Sequence, residues 1–356
     1  MLAFVVREPG AWAVEEVAEP VPGPGEVAVA VAATGICGSD LELLDGTRPA
    51  PYVRYPVVPG HEWAGWVAEV GPGVWGLAPG SGPGLAPGLA PGDPVVAEGL
   101  RSCGVCERCG EGRTNLCTAA YAETGFTHPG ALAERVVVPA ALVHRLPPDR
   151  PVELAALLEP AACVANGLLE AGMPRPGSRL AVVGDGPLGL LALLLLRTVS
   201  PAELLLVSRR PARAARGRDC GATMVVDARD PDALGKLRGG FDTVVDTTSS
   251  PEGPASSLEL LRRGGTAILL GISGAGRATI DPDTIALGHL RVLGIFAASR
   301  AAWQWTVQLY AQGLLDPASL VTHRFGLEDL PEALATLRSR SSGAIKVLIH
   351  PDGRPA

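Results

Sequence analysis

The sequence predicts an α/β protein: a β-rich N-terminal part, then a doubly wound parallel sheet, then a C-terminal segment of mixed type that returns to the first part. Three observations predict it. Before about residue 150, short apolar runs are punctuated by Gly and Pro, as in a region of many short strands and loops. Beyond 150, strand-like runs alternate with helical stretches, which implies right-handed βαβ crossovers. One strand-to-helix joint there is the glycine run Gly184-Asp185-Gly186-Pro187-Leu188-Gly189.

Taken in order, "EVAVAVAATGI" (26–36) predicts a strand leading into a turn, and 57–71 and 94–98 add shorter β-like runs. "LAPG" occurs at 77–80, 85–88 and 89–92; such a proline-bound, polar-poor repeat is expected to be a mobile surface loop without a chemical role. "SRLAVVGDGPLGLLALLLLRTV" predicts a buried strand, a glycine turn and an apolar helix. Strands follow at "AELLLVSRR", "TMVVD", "FDTVVDTTS" and "TAILLGIS", with helices at "ARAARGRDCGA" and "PASSLELLRRGG". Residues 301–314 and 328–340 are expected to be helical, and "AIKVLIH" (344–350) to be a closing strand. The expected domains are 1–150 with a cysteine lobe at about 98–120, then 151–290, then the returning segment 291–356.

The net charge of −7 gives no electrostatic case for nucleic acid or an anionic membrane as partner. The N-terminus lacks the basic start and cleavage site of a signal peptide. The apolar run 189–196 is too short to span a bilayer, and extending it meets Pro187 and Asp185. The expectation is a soluble cytoplasmic protein.

Four of the seven cysteines, Cys103, Cys106, Cys109 and Cys117, fall within fifteen residues. An odd total in a large chain argues against a disulfide framework. The spacing C-x2-C-x2-C-x7-C suits thiolates converging on one Zn2+ in a closed, structural site. Iron–sulfur ligation is the nearest competitor, but the further C-x3-C-P of ferredoxins is missing. Cys163 and Cys220 are expected to be buried small hydrophobes.

The glycine run fits G-x-G-x-x-G between a strand and a helix, the setting of a dinucleotide site. Gly184 permits the tight turn, Gly186 lets the backbone approach a pyrophosphate, and Gly189 allows close helix–strand packing. Pro187 and Leu188 open the helix whose N-terminus receives the phosphates. The next strand ends Val207-Ser208-Arg209-Arg210, without the carboxylate that binds a ribose 2′-hydroxyl. A hydroxyl and a guanidinium suit a 2′-phosphate, so NADP(H) is expected over NAD(H). Ser208 and Arg209 are the first candidates, Arg210 and Arg213 the next; the competing reading is a solvated basic turn.

"GICGSD" (35–40) and "GHEWAG" (60–65) offer a thiolate at Cys37, an imidazole at His61 and a carboxylate at Glu62. Three ligands with one open position is how catalytic zinc is held. Composition and spacing alone do not bring the two segments together. Trp63 and the stretch 41–55 are expected to line the substrate site.

With these residues in view, the resemblance becomes specific. "GHEWAGWVAEVGPGV" matches the zinc alcohol dehydrogenase signature G-H-E-x2-G-x5-G-x2-V throughout. With "CGSD", the four-cysteine lobe, "LLEPAACVANGL" and "GDGPLG" in the same order, the chain resembles a medium-chain dehydrogenase/reductase over 1–350. "GHE" joined by Glu159-Pro160 is closest to the polyol, sugar and threonine branch. "YPVVPGHEW", "GFTHPGALAERVVVP" and "THRFGL" are similar to aminocyclitol (scyllo-inosamine type) dehydrogenases.

The resemblance implies a GroES-like catalytic domain, a Rossmann domain and two zinc ions. It implies hydride transfer between NADP(H) and a secondary alcohol or ketone, with zinc as Lewis acid. Cys37 and His61 would be zinc ligands, and Glu62 and Glu159 a further ligand and a carboxylate holding zinc-bound water. Related enzymes differ in which glutamate does which. Ser39 would relay the substrate proton and Asp40 would orient His61. A homodimer through the edge strand near "RVLGIF" (291–296), or a homotetramer, is expected on the same ground. A threonine-type or simple-alcohol dehydrogenase is the alternative, and a non-catalytic nucleotide-binding relative the third.

Overall fold

The computed structural model describes residues 1–74, 88–272, 276–339 and 341–352. Among these, seven strands come first: β1 (Leu2–Glu8), β2 (Ala11–Glu16), β3 (Glu26–Gly35), β4 (Glu62–Val70), β5 (Pro94–Ala97), β6 (Arg135–Pro139) and β7 (Val143–Arg145). Six more follow: β8 (Arg179–Val183), β9 (Glu203–Ser208), β10 (Met224–Asp227), β11 (Phe241–Asp246), β12 (Leu261–Leu269) and β13 (Arg291–Gly294). Last come β14 (Val321–Gly326) and β15 (Lys346–His350).

The chain divides into two compact units. The first is Met1–Glu159 with Ser299–Gln312 and Val321–Ala356; the second is Pro160–Ala298 with Gly313–Leu320. The divisions fall after Glu159 and Ala298, and within the returning segment Gly313–Leu320 belongs to the second unit.

The first unit holds the hairpin β1–β2 and a seven-stranded mixed sheet in the order β14-β15-β3-β4-β5-β7, with β6 also on β3. β3 is the hub. It runs antiparallel to β4 from Val27 to Gly35, to β6 from Glu26 to Ala30, and to β15 at Thr34 and Gly35. Its run of Val and Ala is buried along almost its whole length, as expected of a strand covered on both faces. Its last residue, Gly35, pairs with Glu62 on one side and Leu348 on the other. A Cβ at Gly35 would come 2.4 Å from Glu62 Oε2 and 3.3 Å from Lys346 Cδ, so only glycine lets those two side chains meet across the strand end. Cys37 follows two residues later and caps the short helix Gly38–Leu44.

The second unit is a six-stranded parallel sheet in the order β10-β9-β8-β11-β12-β13. Order reverses between β8 and β11, which makes the ends of those strands a topological switch point. The helix Pro187–Leu196 follows β8 and is buried from Gly189 onward, which explains why it is apolar all round. β13 is an edge strand.

Several expectations change. The helix expected over "PASSLELLRRGG" stops at Leu260, and the residues after it open β12, because the backbone turns extended at Leu261 (φ −73°, ψ 134°). The hairpin β1–β2, the strands β6, β7 and β14 and the helix Leu158–Ala171 add to the expected elements. The helical stretch Val152–Ala171 is long and apolar enough to cross a membrane, but 78% of its apolar window is buried inside the structure, as in a core helix. The "LAPG" repeat lies largely in 75–87, outside the described residues; in its last copy Leu89 is buried in the cluster that holds Val67, Val74 and Val95. Cys220 is buried as expected, and burial pushes its thiol up; Cys163 is only half-buried, although its neighbours on the helix are buried.

Candidate functional site

The pairing of β3 with β4 brings the two predicted metal-binding segments together. Cys37, His61 and Glu62 each offer a ligand atom, and these atoms all lie within 4.8 Å of one another. His61 and Glu62 are buried, Cys37 half-buried. Asp40 Oδ2 accepts a 2.8 Å hydrogen bond from the Cys37 N–H, while Asp40 Oδ1 stands 3.4 Å from His61 Nδ1. That second separation does not close into a hydrogen bond, and both atoms are buried without one. Burial pulls His61 down, but Asp40 and Cys37 outweigh it and raise the imidazole well above its ordinary value. The pocket's field thus favours a cation, and its donor set of thiolate, imidazole and carboxylate fits zinc. Ser39 Oγ is 3.9 Å from Cys37 Sγ.

Glu159 stands outside the group of three. Burial, reinforced by Glu62 and Glu123 and opposed by His61, pushes its carboxyl up to about 7. Glu62 Oε2 instead accepts from Lys346 Nζ, which also donates to the Ile36 carbonyl at 3.3 Å.

The four lobe cysteines also converge within 4.8 Å. Their Sγ atoms are 4.0 Å apart for Cys103 and Cys109 and 3.9 Å for Cys106 and Cys117. A tetrahedron of Zn–S bonds of about 2.3 Å separates its sulfurs by about 3.8 Å. A disulfide would need about 2 Å, and all seven cysteines are free thiols. Backbone N–H groups of Thr118 and Cys109 hold the Cys106 thiol down to about 5; burial and the neighbouring thiols push Cys109 up to about 12.

In the second unit the glycine run lies between β8 and its helix as predicted. Gly184 has φ +114°, and a Cβ at Gly189 would lie 1.9 Å from Gly184 O. Those two glycines are required by the fold itself. Gly186 is not: its φ is −81°, and a Cβ there would meet nothing within 4 Å. An open backbone at that position fits an approaching pyrophosphate. Ser208 is buried and donates to Asp185 Oδ2 at 2.7 Å; the Arg210 N–H donates to the same oxygen at 3.1 Å. Arg213 Nη1 donates to the Asp185 carbonyl at 2.8 Å, and Arg209 is exposed.

Two family models match the chain: "Alcohol dehydrogenase GroES-like domain" over residues 23–148 and "Zinc-binding dehydrogenase" over 187–312. An L-threonine 3-dehydrogenase of Mesorhizobium japonicum is 30% identical over 344 residues, covering 95% of each chain. The chain belongs to the zinc-binding alcohol dehydrogenase family. This dehydrogenase is also similar to a sorbitol dehydrogenase of Bacillus subtilis, at 29% identity over 92% of this chain and 90% of the relative. Among solved structures, a protein of Sinorhizobium meliloti 1021 assigned as a zinc-binding dehydrogenase and bound to NADP superimposes with a TM-score of 0.88. It is 30% identical, and the match covers 98% of this chain and 99% of that one.

Family membership makes the chain an oxidoreductase acting on a small molecule, and the geometry shows what the motifs leave out. Lys346 was not legible as a site residue, although a lysine inside the apolar run "AIKVLIH" is the signal that could have found it. Asp185 was legible only as a spacer in the glycine run. Trp63 does not line the site: its side chain is 1% exposed and packs in the cluster with Val29 and Val67. Successive residues of a strand face opposite ways, so Glu62 in the pocket sends Trp63 into the core. From the stretch 41–55, Arg48 reaches toward the pocket, its guanidinium 3.6 Å from the Phe126 ring centroid, and that ring lies 4.8 Å from the His61 ring.

Proposed function

We propose that this dehydrogenase transfers a hydride between NADP(H) and a secondary alcohol or ketone of a polyol, sugar or aminocyclitol. The convergence of Cys37, His61 and Glu62 carries the reading. We assign two zinc ions per chain, a catalytic one to those residues and a structural one to Cys103, Cys106, Cys109 and Cys117. Bound in the first pocket, zinc supplies a Lewis acid for an alcohol or carbonyl oxygen.

The chain's own residues do the rest. Asp40 ties the Cys37 backbone by a hydrogen bond and faces the His61 ring at 3.4 Å, where its charge can orient the imidazole. Ser39, whose Oγ lies 3.9 Å from Cys37 Sγ, is our candidate to pass the substrate's hydroxyl proton outward. Lys346 neutralises Glu62, and Glu159 is held near enough to interact with both His61 and Glu62. Gly184, Gly186 and Gly189, with the first turn at Pro187 and Leu188, receive the pyrophosphate. Ser208, Arg209 and Arg210 border the adenosine ribose. The missing carboxylate at the end of β9 and the NADP-bound relative support NADP(H). We assign the chain to the cytoplasm and to a homodimer or homotetramer; the edge strand β13 supports the association alone.

A threonine-type reaction is the second reading, favoured by relatives named L-threonine 3-dehydrogenase. A panel of polyols, aminocyclitols, threonine and simple alcohols with NADP+ and NAD+, followed by absorbance of the reduced nicotinamide, decides between them. Metal analysis on the same protein should find two zinc ions per chain. A threonine-only response would overturn the polyol reading, and zinc-replete protein inert on the whole panel would overturn both.

A further inference from the structure

We propose that Asp185 sets how far the dinucleotide site distinguishes a 2′-phosphate from a 2′-hydroxyl, acting as a brake on selectivity for NADP(H). This rests on reading the glycine run as the dinucleotide site.

The usual carboxylate that receives a ribose hydroxyl comes from the end of the second strand. Here that strand, β9, ends in Ser208. The structure returns a carboxylate to the same place from the glycine run. Asp185 is 7% exposed, and its Oδ2 accepts from Ser208 Oγ at 2.7 Å and from the Arg210 N–H at 3.1 Å. Its Oδ1 faces two guanidiniums at ion-pair distances, Arg210 at 3.5 Å and Arg213 at 3.9 Å. The three polar groups that would select a phosphate thus already face one carboxylate.

Three consequences follow, and they agree in sign. The Ser208 hydroxyl spends its proton on Asp185 and cannot donate it to a phosphate. A phosphate would share Arg210 and Arg213 with an existing negative charge and feel its repulsion across a partly buried site. A 2′-hydroxyl, by contrast, can donate to Asp185 Oδ1. Arg209, Arg210 and Arg213 pull toward NADP(H), and Asp185 pulls toward NAD(H). The chain should therefore accept both dinucleotides with a modest preference, not an absolute one.

Asp185→Asn removes the charge and keeps the shape. Direct titration calorimetry with NADP+ and NAD+, and with the fragments adenosine 2′,5′-bisphosphate and AMP, reads binding without turnover. The ratio of Kd for NAD+ to Kd for NADP+ should rise tenfold or more, and the fragment ratio should rise with it. An unchanged ratio overturns the proposal. So does a shift toward NAD+, which would mean that Asp185 holds the arginines in place for the phosphate. Thermal melting checks the fold; if the Asn variant melts early, Asp185→Ser is read by the same ratios, because its hydroxyl can still bond Arg210. Wild-type protein that binds neither dinucleotide removes the underlying reading. Wild-type protein that binds, with a ratio the variants do not move, removes only the role of Asp185.

Discussion

Lys346 and Glu62 form an ion pair sealed inside the first unit, with side chains only 3% and 2% exposed. Breaking a buried pair by deleting one partner leaves the other as an uncompensated charge. Lys346→Met should therefore cost about 3–5 kcal/mol in metal-free protein. Zinc would supply the missing positive charge beside Glu62. Added zinc should thus raise the melting temperature of the variant more than that of wild type. Equal zinc responses would show that Lys346 and the metal act on Glu62 independently.

Cys37→Ser should lower turnover on the order of 10³-fold, because a Lewis acid contributes several kcal/mol to the transition state. One zinc per chain should be lost, and the circular dichroism spectrum should be retained. An unfolded variant would contradict the separation of this pocket from the cysteine lobe.

Cys109→Ala should behave oppositely. Structural zinc binding contributes directly to folding free energy. The variant should lose the other zinc and melt well below wild type, with residual activity at low temperature tracking the folded fraction. A wild-type melting curve would show that the lobe folds without its metal.

The glycines at 186 and 189 make a paired test. Gly186→Ala puts a methyl into open space at an ordinary φ, so stability should change by less than about 0.5 kcal/mol. The same methyl should weaken NADP+ binding about tenfold by standing where the pyrophosphate approaches. Gly189→Ala drives a Cβ against the Gly184 carbonyl and should instead destabilise the second unit by several kcal/mol. Undiminished NADP+ binding by the first variant would remove Gly186 from the site.

His350 carries a pH dependence away from the metal pocket. Burial holds its imidazole below the ordinary value, although the Ala32 carbonyl and Glu153 pull the other way. A depressed value means that the unfolded chain protonates first. The stability this neutral ring contributes is present above about pH 6.5 and is lost as pH falls through the folded-state value. Unfolding free energy measured from pH 7 to pH 5 should fall more steeply in wild type than in His350→Gln. Parallel slopes would assign the acid sensitivity elsewhere.

The parts of the site that were legible in the sequence are those carried by local spacing. Cys103 to Cys117, the segment around His61 and Glu62, and the glycine run each fit within about fifteen residues, so their geometry is written in short-range order. The partners that complete them are remote. Lys346 reaches Glu62 across 284 residues, and only the pairing of β15 with β3 brings it there. Asp185 and Ser208 are 23 residues apart, and the parallel register of β8 and β9 sets them side by side. Alternation along a strand was readable in principle at Trp63, yet its neighbourhood to the metal motif suggested the wrong face.

The placement of β15 beside β3 bears on how the protein is made. The metal pocket needs strands from near both chain ends, and the whole second unit is translated between them. At roughly 5–20 residues per second, the ribosome releases Lys346 on the order of tens of seconds after Glu62. Until then the nascent first sheet has an uncovered edge at Gly35 and a carboxylate with no counter-ion. Final closure of the pocket therefore waits for β15, and deletion of 346–350 would leave Glu62 without its partner and Gly35 without its neighbouring strand.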